Sequence, residues 1–278
     1  MLADYPFRCT LQPHIGHVLE GRNSAGLEFY KEFGRIYSEA SQWKKAEALW
    51  LEVRDACLWL LRPEHPDTLC AMGDLAETYC NQGRWKEAED LEVQVRDVCL
   101  KVLGAEHPTT LWAMENLAMT YASQSLWEEA EDLGVQVRDA FLKVLGAEHP
   151  DTLWAMGNLA ARYWHQSRWE EAEDLQVQVR DVRLKVFGAE HPDTLWAMWN
   201  LALTYRSQGR WREAVDLQVQ VRDARFRALG AEHLDTLRAM GGLAMTYEEQ
   251  GRWGEAEALE VQVRMFFSRC LGKNIYIL

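Results

Sequence analysis

The stretch HPDTLWAMGNLAARY at residues 149–163, followed by RWEEAEDL at residues 168–175, decides the fold of this chain. The pattern returns every 42 residues, and its tryptophan recurs without exception at Trp43, Trp85, Trp127, Trp169, Trp211 and Trp253. A tyrosine keeps the same period at Tyr37, Tyr79, Tyr121, Tyr163, Tyr205 and Tyr247. One structural unit is therefore used six times, which is the mark of a repeat architecture.

Each repeat is predicted to form two helices. A Gly-Ala-Glu-His-Pro turn opens the repeat, and proline suits the first helical turn because its missing N–H costs nothing there. Leu111, Met114, Ala118 and Tyr121 then recur at spacings of three and four, which is one helical face. A second helix begins near Trp127 and ends at a glycine, giving lengths of about 16 and 19 residues. Because one such pair cannot bury both apolar faces, stacked pairs in an all-α solenoid are expected.

The repeat pattern sets the expected domain organisation of the 278 residues. A non-repeat lead at 1–22 precedes the six repeats, and a stub at 273–278 follows them. The predicted repeats span 23–64, 65–106, 107–148, 149–190, 191–232 and 233–272.

Composition excludes several classes of protein. The formal net charge of -13 argues against binding to nucleic acid or to an anionic membrane, since both need a basic face. The chain has no apolar run of transmembrane length, and its N-terminus lacks the apolar stretch of a signal peptide. None of the six cysteines forms a C-x-x-C pair, so reduced thiols in a cytoplasmic protein are expected.

These motifs resemble the tetratricopeptide repeat in its longer 42-residue form, known from kinesin light chains. The pattern Leu-Ala-x-x-Tyr, then a small residue, an aromatic residue and alanine, is carried in one repeat by Leu159, Ala160, Tyr163, Ser167, Trp169 and Ala172. The resemblance covers nearly all of the chain. It implies a superhelical solenoid that serves as a non-catalytic protein-interaction scaffold, without cofactors.

A narrower resemblance is to the repeat tails of fungal NB-ARC or NACHT signalling proteins. The HPDTL and QGRW motifs carry it, together with Leu11-Gln12-Pro13-His14-Ile15. It implies the ligand-sensing region of such a protein without its nucleotide-binding domain, because the chain has no G-x-x-x-x-G-K-[ST] loop. A kinesin light chain-like cargo adaptor is a further alternative, although residues 1–22 are too short for the heptads that it would need.

The family resemblance implies that first helices line a concave groove for a peptide or protein ligand. Asparagine is suited to gripping a peptide backbone, because its amide both donates and accepts hydrogen bonds. The alternative interpretation is that the tryptophans pack between adjacent first helices and the asparagines cap a neighbour. The candidate groove residues are Trp112, Asn116, Met119, Trp154, Asn158, Trp164, Trp196, Trp199, Asn200 and Leu203.

Charge and terminal composition suggest the nature of the partner. Residues 65–148 carry 16 acids and 6 bases, which are predicted to lie mostly on outward-facing second helices. The groove is then expected to be nearly neutral, rich in Trp and Met, and suited to an apolar ligand. The apolar run Met265-Phe266-Phe267 raises self-association through the C-terminal end as a further possibility.

Other repeated residues are interpreted as structural. Five histidines stand in separate turns without a second ligand nearby, so turn residues are expected rather than a metal site. The Arg-Asp pairs, such as Arg96-Asp97, are predicted to be solvated or to pair across repeats, because adjacent helical residues do not face each other. The Trp43-to-Trp253 series is predicted to pack between the two helices of a repeat. No nucleophile–base constellation stands out, and an enzyme is not expected.

Overall fold

The computed structural model describes the backbone of residues 24–274 and the side chains of residues 28–268. Within that range the chain forms twelve α-helices and no strands. They are α1 (Ser24–Glu39), α2 (Trp43–Leu60), α3 (Pro66–Asn81), α4 (Trp85–Leu103), α5 (Pro108–Ser123), α6 (Trp127–Leu145), α7 (Pro150–His165), α8 (Trp169–Phe187), α9 (Pro192–Ser207), α10 (Trp211–Leu229), α11 (Leu234–Glu249) and α12 (Trp253–Asn274). The predicted lead at 1–22, with its Leu11–Ile15 motif, lies outside the described residues.

The predicted all-α solenoid of helix pairs is confirmed. Every odd-numbered helix has 16 residues and is the first helix of a repeat, as the 149–163 stretch is for α7. Second helices have 19 residues in the four middle repeats, 18 in α2 and 22 in α12. The last helix continues to Asn274, beyond the predicted repeat end at 272.

Each GAEHP-type turn ends one helix and caps the next. Gly104 closes α4 with a φ of 90°, a left-handed conformation that glycine adopts without steric cost. His107 then caps α5, and its Nδ1 accepts the backbone N–H of Thr109 at 3.2 Å. His65, His149, His191 and His233 make the same bond. The prediction that these histidines are turn residues is confirmed, and their role is to satisfy helix N-terminal donors.

The turn inside each repeat needs a residue with positive φ. Gly83, Gly209 and Gly251 supply it in three repeats, whereas Ser125 and Ser167 adopt φ values of 63° and 61°. A side chain in the left-handed region costs roughly 1–2 kcal/mol.

Replacing Ser167 with glycine is therefore expected to raise the free energy of unfolding by about 1 kcal/mol. The reverse change at the equivalent position, Gly209→Ser, should lower it by a similar amount. Urea denaturation followed by circular dichroism measures both. Destabilisation by Ser167→Gly would show that the serine side chain, and not the backbone, governs this turn.

The described helices form two compact units, which divide inside α6 between Leu133 and Gly134. In the N-terminal unit, each helix from α1 to α5 packs on its neighbours in the chain. Its core brings Leu75 and Tyr79 of α3 against Ala88 and Cys99 of α4, beside the buried Trp50. In the C-terminal unit, α7 to α12 pack in the same sequential way.

An arginine joins the two helices at the turn inside the repeat. The Arg84 guanidinium lies 4.2 Å from the centroid of the Tyr79 ring, and its Nη1 donates to Glu47 Oε1 at 2.6 Å. Arg210 repeats the arrangement with Tyr205 and Glu173. The Trp43-to-Trp253 series is only half-buried or exposed, and Trp253 is 66% exposed. The predicted packing of these rings between the two helices of a repeat stays a prediction.

The Arg-Asp pairs lie on the solvent-exposed surface, which is one of their two predicted roles, and the alternative that they join different repeats is wrong. Arg96 Nε donates to Asp97 Oδ1 of the same helix at 2.9 Å, and Arg54, Arg138, Arg180 and Arg222 pair with the next residue in the same way. The rule that adjacent residues diverge describes where a side chain leaves the helix. A long arginine can bend along the surface and reach a neighbour, and such exposed pairs contribute little to stability.

The C-terminal helix carries exposed apolar side chains. Met265 and Phe267 are about half exposed, whereas Phe266 packs against a cluster that includes Leu243 and Leu259. Self-association through this end stays a prediction.

Candidate functional site

All of the predicted groove residues lie on first helices. Trp112, Asn116 and Met119 lie on α5, and Trp154, Asn158 and Trp164 lie on α7. Trp196, Trp199, Asn200 and Leu203 lie on α9. Because α5 belongs to the N-terminal unit and α7 and α9 to the C-terminal unit, the two sets are described in turn.

The α5 residues meet in one groove, which is called here the α3–α5 groove. It has a volume of about 910 Å³ and is formed by α3 and α5, with Glu92 and Val95 contributed by α4. Trp112, Asn116 and Met119 all line it, and Met119 is 52% exposed while Trp112 is 39% exposed. This volume is within the range of ligand-binding clefts, and an accessible indole beside an amide gives apolar and hydrogen-bonding contacts together.

The expectation of a nearly neutral groove is wrong for the α3–α5 groove. Its described lining includes the carboxylates of Glu64, Asp74, Glu77 and Glu92, and Arg35 is the only lysine or arginine there. The charge summed over whole repeats did not reveal this acidic lining, because Glu92 belongs to a second helix, which was predicted to face outward, and still lines the groove. An acidic groove disfavours the purely apolar ligand that the sequence suggested.

Glu92 is the most deeply placed of these carboxylates. Its side chain is 7% exposed, and its Oε2 atom is buried without a hydrogen-bond partner. Burial raises the pKa of Glu92 to about 7, and a hydrogen bond from Thr120 opposes that rise. The Thr120 hydroxyl also lies 3.2 Å from the Cys80 sulfur.

Asp74 is a second perturbed carboxyl in the α3–α5 groove. Burial raises the pKa of Asp74 to about 6, while the positive charges of Arg35 and Lys31 act in the opposite direction. Two carboxyls that titrate near neutral pH in one cleft are typical of a functional site, because burial is tolerated there for a purpose.

The acids of this groove can be recognised by comparing equivalent positions in the repeats. In the four later repeats, the position of Asp74 holds Asn116, Asn158, Asn200 and Gly242, whereas the first repeat has Glu32 there. The position of Glu77 holds Met119, Ala161, Leu203 and Met245, and that of Glu92 holds Gly134, Gln176, Gln218 and Glu260. Comparing each position across repeats, instead of summing charge per repeat, would have found Asp74 and Glu77 directly.

In the C-terminal unit, Trp164 and Trp199 pack against the next first helix. Trp164 Nε1 donates to Ser207 Oγ at 3.1 Å. The Trp199 ring occupies the space beside Gly242, where an added Cβ would overlap it. Both side chains are half-buried, and their contacts agree with the alternative interpretation, in which the tryptophans pack between adjacent first helices.

The remaining candidates of this unit are more varied. Trp196 is 46% exposed and contacts the surface near Gly157, with the Arg183 guanidinium 5.5 Å from its ring centroid. Trp154, Asn200 and Leu203 are half-buried. The Asn158 Nδ2 atom is buried without a hydrogen-bond partner. Trp196 is therefore the most accessible indole that the C-terminal candidates offer.

The described residues offer little for metal or membrane chemistry. They contain no cluster of three or more His, Cys, Asp or Glu side chains suited to a metal ion. Cys57, Cys70, Cys80 and Cys99 are free thiols. None of the helices in the described range has the length and apolar character that a membrane crossing requires.

Paired helices of constant length, repeated turn chemistry and a groove between first helices define an α-solenoid repeat protein. Sequence profiles of the tetratricopeptide repeat match residues 27–101, 69–143, 124–183 and 163–225, and a second such profile matches residues 236–264. The chain belongs to the tetratricopeptide repeat family. Among proteins with curated functions, none matches the sequence.

Solved structures agree with this assignment. The chain is similar to the nearly identical TPR-like repeats of a kinesin light chain-type protein from Podosopora anserina, with 34% identity and a TM-score of 0.67. That match covers 74% of this chain and 98% of the other. BtubC (BKLC) from P. vanneervenii has 17% identity and a TM-score of 0.66, over 80% of this chain and 91% of the other. A Rap protein complexed with Competence and Sporulation Factor has 11% identity and a TM-score of 0.62, over 95% and 81%.

Proposed function

We propose that this protein is a non-catalytic interaction scaffold that binds a peptide or protein segment along its first helices. The observation that carries the proposal is the α3–α5 groove, in which accessible Trp112 and Met119 flank Asn116. Large aromatic side chains are the usual anchors of protein interfaces, and the Asn116 amide can both donate hydrogen bonds to and accept them from an extended backbone. The Rap protein named above, solved with a bound factor, supports the view that this fold can hold such a ligand.

Replacing Trp112 with alanine is expected to weaken peptide binding about tenfold or more, because anchors of this kind typically contribute over 1 kcal/mol. Asn116→Ala should have a similar but smaller effect. Peptides selected from a phage-displayed library of short random sequences provide the ligand, and isothermal titration gives the affinity.

The matched control for this test is Trp59→Ala, which removes a 79% exposed indole on α2, outside the α3–α5 groove. It should leave the affinity unchanged. Equal affinities for the Trp112→Ala variant and the parent protein would contradict the proposed site, provided that the helical content of both is the same.

Narrower roles rest on the sequence resemblance. We propose the ligand-sensing repeat region of an NB-ARC or NACHT-type signalling protein, with a kinesin light chain-like cargo adaptor as the alternative. The upstream coding sequence separates them: a phosphate-binding loop there supports the first, and coiled-coil heptads support the second. The free thiols Cys57 and Cys99 are compatible with a reducing, cytoplasmic location, which we also propose.

A further inference from the structure

Three departures from the repeat bring negative charge into the α3–α5 groove. Asp74 replaces the asparagine of the middle repeats, Glu77 replaces an apolar residue, and Glu92 takes the place of Gln176 and Gln218. All three side chains line the same groove. Asp74 and Glu77 are three residues apart on α3 and therefore share one helical face. Asp74 and Glu77 therefore set this repeat apart from the four later ones, and Glu92, whose position also holds an acid in the last repeat, lines the same cleft.

Glu92 supplies an independent indication that the groove receives a ligand. Its carboxylate is more than nine-tenths buried, and one oxygen is bonded by Thr120 while Oε2 has no hydrogen-bond partner. An ionised carboxylate without a counter-ion is costly to bury, and a charged donor is the group that best offsets the cost. By contrast, the equivalent Gln176 is neutral, and its Oε1 accepts a hydrogen bond from Thr204 at 2.7 Å.

We propose that the α3–α5 groove binds a lysine or arginine side chain of an extended peptide, with the cation held by the Glu92 carboxylate and with Asp74 adding negative charge elsewhere in the groove lining. The inference rests on the proposed function and names its ligand class. Glu77 adds negative charge at the same face, and Trp112 offers an indole against which a cationic side chain can pack. Asn116 is in position to bind the peptide backbone beside that side chain.

The proposed binding of a cation is expected to depend on pH, because it competes with protonation of the groove carboxyls. A cation favours ionised Glu92 and Asp74, and both carboxyls have a pKa raised by burial, to about 7 and about 6. Binding therefore releases protons, and affinity should rise from about pH 5 to about pH 8. The other titratable or charged groups around these carboxyls come from α1, the turn before α3, α3, α4 and the α5 cap, and are Lys31, Arg35, Glu64, Cys70, Glu77, Cys80, Glu89 and His107.

The test uses the full chain and a phage-displayed library of short random peptides selected near pH 8. Selected peptides should share a lysine or arginine. Isothermal titration then compares a lysine-bearing peptide with a copy in which norleucine, a neutral residue of similar length, replaces the lysine. Norleucine and the variant Glu92→Gln are each expected to weaken binding about tenfold, the usual value of a charge-assisted hydrogen bond. Both should also flatten the pH dependence.

The matched control is Glu52→Gln, which removes one exposed negative charge from α2, away from the groove lining. It should change affinity less than about twofold if the effect is local. Thermal denaturation establishes that Glu92→Gln is folded.

Each outcome of the test is decisive. Selected peptides that are neutral or acidic, or equal binding of lysine and norleucine, would overturn the cationic ligand and leave the scaffold function standing. Failure to select any peptide would overturn both. If Glu52→Gln weakens peptide binding as much as Glu92→Gln does, the effect comes from the overall charge of the protein, which would contradict the assigned site.

Discussion

Replacing Trp199 with glycine is expected to lower the free energy of unfolding by about 3 kcal/mol, because it empties the space that this ring fills. The half-buried indole packs against the cluster of Leu195, Met198 and Val221, and beside Gly242 of the following first helix. Asparagine stands at the position of Gly242 in the middle repeats, where the residue facing it is not tryptophan. Urea denaturation followed by circular dichroism gives the change.

The partner substitution makes this prediction specific. Gly242→Asn alone should destabilise by about 1–3 kcal/mol, because the new side chain overlaps the Trp199 ring. The double variant Trp199→Gly with Gly242→Asn places glycine and asparagine at the positions that Gly157 and Asn200 occupy one repeat earlier. It should therefore be more stable than the sum of the single changes predicts, by at least about 1 kcal/mol. Simple additivity would show that the two residues are not complementary.

Replacing Glu92 with glutamine is expected to stabilise the protein by about 3 kcal/mol near pH 8 and to change little near pH 4. Burial raises the pKa of Glu92 from 4.5 to about 7, so its ionisation is less favourable in the folded state. The favourable contribution of the protonated carboxyl is fully present below about pH 4.5 and is lost as the pH rises through about 7. Glutamine does not titrate, so the variant avoids that loss.

The free energy of unfolding of the parent protein and of the Glu92→Gln variant, measured from about pH 4 to about pH 8, checks the sign of this effect. Groups other than Glu92 titrate in both proteins and cancel in the difference, which should grow as the pH increases. Gln176 shows that an amide fits here, since it accepts from Thr204 as Glu92 does from Thr120. A difference independent of pH would mean that Glu92 ionises normally. Together with the expected loss of cationic-peptide affinity, a gain in stability would mark Glu92 as a binding residue rather than a packing residue.

The period of the sequence was enough to predict the helix pairs, because each repeat carries its own turn, cap and apolar face. The predicted helix lengths and the role of the histidines follow from local rules of that kind. The groove could be located on α5 for the same reason, since Trp112, Asn116 and Met119 share one helical face.

What escaped prediction depends on contacts between repeats. The carboxylate of Glu92 reaches the groove from a second helix, and only the packing of α4 against α3 and α5 places it there. The arginine at position 84 joins Tyr79 to Glu47 of the preceding repeat, a contact that no single repeat contains. Likewise, the sequence suggested that Trp199 contacts a ligand because it departs from the repeat, and its partner Gly242 departs from the repeat in the next first helix.

We expect paired departures of this kind to favour the correct neighbours when the repeats dock during folding. Near-identical repeats can dock in the wrong order, a characteristic misfolding route of repeat proteins. The first helix that carries Trp199 fits a following first helix only if that helix has glycine at the facing position. Arg162 similarly occupies the space beside Gly134 of α6, where the other repeats have larger side chains. Exchanging repeats that carry these large and small partners would create either an overlap or a cavity. The irregularities of this chain thus give its otherwise interchangeable repeats a defined order.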